Sequence, residues 1–288
     1  MENKAAYGLD TDAFIRHALE EDIGDGDQTT LATIDPAQSG KAVIRTKEDG
    51  IVCGLDLSKR IFQTVDSRLG VSLEKNEGAA VVKGDLLARI EGPMASILRA
   101  ERLVLNCMQR MSGIATATRK LVDLLAGTKA RLLDTRKTTP NFRAFEKWAV
   151  KMGGGVNHRT GLYDMILIKD NHVDSCGGTG QAILAAEAYL ERTGKKLKIE
   201  IETRNMEEVR QALDAGKVDR IMLDNFSIEE MKKAVALIGG RVETEASGNI
   251  TAATIREVAL TGVDFISVGA LTHSYKSLDI SLTVVKGT

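Results

Sequence analysis

Six short apolar runs in the second half of the chain break off into side chains that can do chemistry. In order they deliver Arg136 and Lys137, Lys169, Glu202, Asp224, the turn Ser247-Gly248-Asn249, and Gly269-Ala270. A buried strand that ends in a polar cluster is how an α/β protein presents groups to a ligand. The cations can grip an anion, with arginine suited to a planar carboxylate held by two parallel hydrogen bonds. Glu202 and Asp224 end neighbouring strands, which suits holding Mg²⁺ beside phosphate oxygens, directly or indirectly. Glu200 lies two residues before Glu202, so the pair shares one strand face and either can make the contact. Glycine-containing turns at the last strand ends can bind phosphate through backbone N–H groups. Between the first two runs lies Gly153-Gly154-Gly155, followed by Asn157-His158-Arg159; the triplet opens no helix and reads as a flexible loop. From Asp134 to His172 there are seven Lys/Arg against four Asp/Glu in a chain of net charge −1, so the excess positive charge is local. An anionic small molecule fits that excess.

These groups need a frame that gathers them. The apolar runs Arg131–Asp134, Met165–Lys169, Leu197–Glu202, Arg220–Asp224, Val242–Ala246 and Phe265–Gly269 alternate with amphipathic segments at Gln181–Arg192, Met206–Ala215, Ile228–Ile238 and Ala252–Leu260. Thr203-Arg204-Asn205 and Asn225-Phe226-Ser227 offer helix caps. Repeated βα units of this length predict a (β/α) barrel, incomplete or irregular, with the strand ends meeting on its C-terminal face. No GxGxxG follows any of these strands, so a dinucleotide fold has little support.

The first part of the chain reads differently. After a capped helix near Asp10–Gly24 and an acidic capped turn at Glu21–Thr30, short β-like runs lie at Ala42–Ile44, Ile51–Cys53, Val71–Leu73, Ala79–Val82 and Leu86–Ile90. Pro93 then starts a helix that Gly113 is expected to stop, with another over Ile114–Ala126. The division is therefore a smaller N-terminal α+β domain over residues 1–113 and a barrel over 114–275, with the tail 276–288 packing back on the first domain. His172 and His273 each read as the cap of a turn.

Composition narrows the partners. The balanced charge argues against nucleic acid. Three scattered cysteines (Cys53, Cys107 and Cys176) show neither a disulfide framework nor metal-ligand spacing, which suits a reducing cytoplasm. No signal core and no long apolar run argues for a membrane.

Several motifs together resemble one family. Asp134-Thr135-Arg136-Lys137-Thr138-Thr139-Pro140, Gly153-Gly154-Gly155-Val156-Asn157-His158-Arg159, Leu167-Ile168-Lys169-Asp170-Asn171-His172 and Leu223-Asp224-Asn225-Phe226 are similar to the quinolinate phosphoribosyltransferases. Glu21 to Thr30, Glu101-Arg102 with Asn106, Ser112 to Thr116 and Gly262 to Ser274 fit as well, so the resemblance spans nearly the whole chain. It implies conversion of quinolinate and phosphoribosyl pyrophosphate to nicotinate mononucleotide, CO₂ and pyrophosphate, with Mg²⁺, in NAD biosynthesis. It also implies that Arg136, His158, Arg159 and Lys169 bind quinolinate and that Lys137 is shared with the phosphoribosyl substrate. Glu202 and Asp224 would face ribose and metal, and Ser247, Gly248, Asn249, Gly269 and Ala270 would hold the 5′-phosphate. Arg102 would come from the partner in a homodimer or higher assembly. Two departures stand out: Asn141 and Asn249 occupy positions where many relatives carry glycine, and asparagine tolerates positive φ better than most residues. Rival readings of the same barrel are an aldolase using Lys169 as a Schiff-base amine, a transferase acting on another base, and a non-catalytic nucleotide-binding protein.

Overall fold

Alternation of small and branched apolar residues with polar ones builds the first sheet. The structure, a computed structural model, describes residues 10–285. Strands β1 (Ser39–Thr46), β2 (Gly50–Ile51), β3 (Gly70–Leu73), β4 (Ala80–Val81) and β5 (Leu86–Pro93) occupy the first part of the chain. Ala42 and Ile44 of β1 point inward opposite Ile90 and Ala88 of β5, the period-2 pattern of a sheet with one buried face. The chain divides into two compact units. Of the described residues, one comprises those up to Arg119, Thr138–Gly154 and those from Thr272; the other comprises Lys120–Lys137 and Gly155–Leu271.

In the first unit β1 lies between β5 and a last strand, Ile280–Val285, in a four-stranded sheet with β3 outermost beyond β5. A 31-residue helix, Met94–Leu124, follows β5 directly. Its face Ile97, Val104, Met108, Met111 and Ile114 is fully buried, and Ser112 and Thr116 accept hydrogen bonds from the backbone N–H groups of Cys53 and Ile51. The expected stop at Gly113 does not occur. A Cβ there would lie 2.3 Å from the Lys276 carbonyl oxygen, so the glycine serves a close backbone approach inside an uninterrupted helix. The unit also takes up Thr138–Gly154, where the helix Arg143–Met152 stacks Phe142 and Phe145 on Phe14 with centroid distances of 4.8–5.6 Å. Arg110 pairs with the fully buried Glu146 of that helix. Gly153 caps the helix and packs against Thr118 with no room for a side chain, so the glycine triplet begins as a packed helix end and not as a flexible loop. The acidic turn is a cap, as read: the Asp27 carboxylate accepts the Thr30 N–H at 3.0 Å and opens the helix Gln28–Thr33.

The second unit holds β6 (Arg131–Leu133), β7 (Ile166–Ile168), β8 (Ile199–Thr203), β9 (Arg220–Asp224), β10 (Glu243–Ser247) and β11 (Phe265–Ser267). All pair in parallel in the order β6-β11-β10-β9-β8-β7. From β7 to β11 each strand lies beside its successor, and the last lies beside the first, as in a (β/α) barrel. No ladder joins β6 to β7; β6 makes instead a single parallel bridge, Leu133 to Val156, with the segment between them. The barrel is therefore incomplete. The helices Thr179–Thr193, Met206–Ala215 and Ile228–Ile238 end in left-handed glycines, Gly194, Gly216 and Gly239, the usual C-terminal stop. Asn205 and Ser227 cap the latter two of these helices, as expected. The predicted helix over Ala252–Leu260 is shorter, Ile255–Ala259. The strand Ile280–Val285 is named β12. Among the described residues no helix is long and apolar enough to cross a membrane, and all three cysteines are free.

Candidate active site

Parallel pairing puts every strand end of the second unit on one side of its sheet, and the groups gather there. Lys169, half exposed just past β7, donates to Glu202 Oε2 on the neighbouring β8 at 2.8 Å. His172 caps the helix that Lys169 introduces, its Nδ1 accepting the Lys169 N–H at 2.9 Å. Asp224 ends β9 level with Ser247 of β10. The Asp224 carboxylate accepts from the Asn225 side-chain amide at 2.7 Å, and the Asn225 amide oxygen accepts from Asn249 Nδ2 at 3.1 Å. This chain ties the carboxylate to the turn Ser247-Gly248-Asn249. Gly248 is required at φ 96°, since a Cβ would meet Asn225 Oδ1 at 2.2 Å.

Asn249 has φ 50° and Asn141 φ 62°, so both departures from glycine lie in the left-handed region that asparagine tolerates. Asn225, φ 57°, is the third such residue among those described.

At the other strand ends, Arg136 is half buried and Lys137 exposed past β6. Val268 donates to the Leu133 carbonyl oxygen at 3.0 Å, which sets Gly269 and Ala270 beside that end. Asp134, fully buried, accepts from the His158 N–H at 2.8 Å and from Asn157 Nδ2 at 2.6 Å. The segment carrying His158 and Arg159 is thereby moored to β6. The Arg159 guanidinium donates from Nη1 to the Met165 carbonyl oxygen at 3.2 Å. Its Nε is buried without a hydrogen-bond partner among the described residues. Burial, and then the like charge of Arg136, lower the Arg159 pKa from its ordinary value.

Of the four groups that lie beneath, the sequence singles out Glu200 and His158 but not Glu245 or Arg220. The His158 ring points inward, Nε2 3.1 Å from Glu200 Oε2 and 3.5 Å from Glu245 Oε2. Both carboxylates are fully buried. Arg220 Nη1 lies 2.8 Å from Glu245 and 3.9 Å from Glu200, with its guanidinium stacked on Phe265 at 4.0 Å. Burial pushes Glu200 up to about 7 against the pull of Arg220. It pushes Glu245 up to about 7 as well, helped by the charge of Glu200. Glu200 thus faces this inner cluster while Glu202 faces Lys169. Arg102 is exposed on the long helix of the first unit.

A parallel barrel whose strand ends join basic groups, paired carboxylates and a glycine turn is built for an enzyme acting on small anions. The chain matches the family described as Quinolinate phosphoribosyl transferase, C-terminal domain, over residues 114–283, and its N-terminal domain over residues 27–112. It is 47% identical over 282 residues to quinolinate phosphoribosyltransferase [decarboxylating] 2b, mitochondrial, of Nicotiana tabacum, covering 93% of this chain and 80% of that one. It is 43% identical to a probable nicotinate-nucleotide pyrophosphorylase [carboxylating] of Bacillus subtilis, with 94% and 92% covered. The solved nicotinate-nucleotide pyrophosphorylase of Francisella tularensis superposes with a TM-score of 0.91 at 41% identity over 98% of both chains. The chain belongs to the quinolinate phosphoribosyltransferase family, decarboxylating transferases of de novo NAD biosynthesis.

Proposed function

We propose that the second unit converts quinolinate and phosphoribosyl pyrophosphate to nicotinate mononucleotide, CO₂ and pyrophosphate, with Arg136, Arg159 and Lys169 gripping the two quinolinate carboxylates. The observation that carries the pocket is the buried Arg159 Nε, a donor left for a ligand carboxylate to satisfy. Two carboxylates taken out of water need opposite charge around them, and these three cations provide it. Lys137 serves both substrates. The ring nitrogen attacks the anomeric carbon of the ribose as the bond to pyrophosphate breaks, and positive charge builds on the sugar. Glu202 and Asp224 stabilise that charge, while Ser247, Gly248, Asn249, Gly269 and Ala270 hold the 5′-phosphate. In the resulting pyridinium the carbon beside the nitrogen loses CO₂, its electron pair stays on that carbon, and a proton replaces the lost carboxylate.

Glu202 and Asp224 fit Mg²⁺ through substrate oxygens or water. Each carboxylate is already engaged through one oxygen, by Lys169 and by Asn225, so neither is free to wrap a bare ion. Bound there, Mg²⁺ supplies charge to the leaving pyrophosphate. His158 belongs to this pocket through Arg159, and Arg102 is assigned to the pocket of a second copy in a homodimer, where its exposure on the long helix leaves it accessible. The three free cysteines suit a reducing compartment such as the cytoplasm.

Mixing the purified protein with quinolinate, phosphoribosyl pyrophosphate and Mg²⁺ should release CO₂ and pyrophosphate in equal amounts; pyrophosphate without CO₂ would point to another base. Lys169→Ala should raise the quinolinate KM and lower turnover by about a hundredfold, the scale on which misplaced substrate acts. Unchanged kinetics would remove Lys169 from the site. Its ion pair with Glu202 and half exposure already separate it from the desolvated lysine a Schiff-base aldolase requires.

A further inference from the structure

Beneath the mouth of the barrel, Glu200, Glu245, Glu243 and Arg220 form a charged layer that the reaction above does not use. Arg220 binds Glu243 at 3.0 Å and Glu245 at 2.8 Å, and Glu245 and Glu200 both face His158 Nε2. His158 Nδ1 accepts the Arg159 N–H at 2.7 Å. That bond leaves Nε2 as the protonated nitrogen and fixes which way round the ring sits. The backbone of Arg159 thus holds Nδ1 by a hydrogen bond, while Nε2 lies within ion-pair distance of the buried acids.

We propose that Glu245, together with Glu200 and Arg220, is a positioning residue for the quinolinate pocket, holding the His158 ring and through it the backbone and guanidinium of Arg159.

Fold stability alone gives no reason for this layer. Well-packed apolar side chains of similar volume are often at least as stable as a buried ion-pair network, and Met222, buried opposite Glu245 on the same sheet face, shows that such a residue is accommodated here. The acids also lie under a pocket that gathers cations. Glu200 attracts Arg159 and so offsets part of the repulsion between Arg136 and Arg159. His158, Glu200 and Glu245 offer ligand atoms within 4.8 Å of one another, a spacing a metal ion could also use. Arg220 already occupies that role, placing a fixed positive charge at hydrogen-bond distance from Glu245. A divalent ion added to Arg220 would raise the positive charge under a pocket that already concentrates it.

The inference rests on the reading that Arg159 holds a quinolinate carboxylate, and the two can fail separately. Glu245→Gln, which keeps shape and removes charge, should raise the quinolinate KM about tenfold, the scale on which outer partners of a ligand-holding histidine act. The KM for phosphoribosyl pyrophosphate should stay within about twofold of wild type, and Glu245→Asp should recover part of the loss. Arg220→Lys, a second variant in case Glu245→Gln does not fold, should show the same split. Arg159→Ala is the control for the underlying reading. If it leaves the quinolinate KM unchanged, the pocket assignment falls; if it raises that KM while Glu245→Gln and Arg220→Lys do not, only the positioning role falls. A parallel loss in both KM values and in folded fraction, without rescue by aspartate, marks a purely structural layer and overturns the proposal. So does a stoichiometric divalent ion, measured by elemental analysis of the purified protein, that is lost in Glu245→Gln.

Discussion

The two units keep different things inside. The largest fully buried side chains of the described residues all belong to the first unit, among them Phe62, Ile15, Ile44, Ile97, Met108 and Ile114. The second unit buries Asp134, Glu200 and Glu245 completely, and its strands turn Arg220 and Glu243 toward the same layer. One interior is held mainly by apolar packing, the fully buried Glu146 and Lys147 being confined to one helix. The other spends part of its interior on a fixed electrostatic arrangement whose worth lies at the mouth above it. Within a single polypeptide, stability and site preorganisation are thus largely assigned to separate cores.

That contrast can be broken experimentally. The largest effect belongs to Phe62→Ala, expected to cost about 3–5 kcal/mol in denaturant unfolding through lost burial and a cavity, while the kinetics of the folded fraction stay unchanged. Arg220→Met should cost about 3 kcal/mol, because it leaves buried carboxylates uncompensated, and it should also impair quinolinate binding. If Arg220→Met were as stable as wild type, the charged layer would not be the fixed arrangement described.

The pH dependence sharpens the comparison. Glu245 rises from 4.5 to about 7 on folding, so the folded protein binds its proton more tightly. The associated stability is present in full below about pH 4.5 and is lost as pH rises through about 7, at most about 1.4 kcal/mol per pH unit for one group. Glu245→Gln should flatten thermal stability against pH in that window relative to wild type. A variant in the apolar core of the first unit should leave the slope alone. The smallest effect is at Asn249, where Asn249→Ala should cost about 1 kcal/mol for a left-handed backbone and Asn249→Gly close to nothing.

Much of the mouth was legible because apolar runs ending in charge mark strand ends wherever a sheet is parallel. Arg136, Lys169, Glu202, Asp224 and Ser247 all lie on one end of the second unit for that reason. The layer beneath was hidden by the same alternation. In Ile199-Glu200-Ile201-Glu202 the alternation puts both acids on one face, but nothing in it separates Glu200, beside His158, from Glu202, paired with Lys169. The long helix was misread at Gly113 because the reason for the glycine, the backbone near Lys276, lies far along the chain. The helix Arg143–Met152 was missed since Glu146 and Lys147 interrupt its apolar stripe, although both are fully buried. Asparagine at positions 141 and 249 could be anticipated from backbone preference alone, and φ is positive at each.

The pairing of β12 with β1 has a consequence for how the protein is made. Lys41 to Thr46 sit opposite Val285 to Ile280, so one edge of β1 stays open until residues 280–285 have been synthesised. The second unit can be synthesised whole while the first is still waiting for its closing strand. Removing residues 280–285 would therefore leave the barrel sequence untouched and strand an unpaired ladder in the other unit, inviting edge-to-edge aggregation. A change in β12 is thus a perturbation of a sheet whose other strands were made long before it.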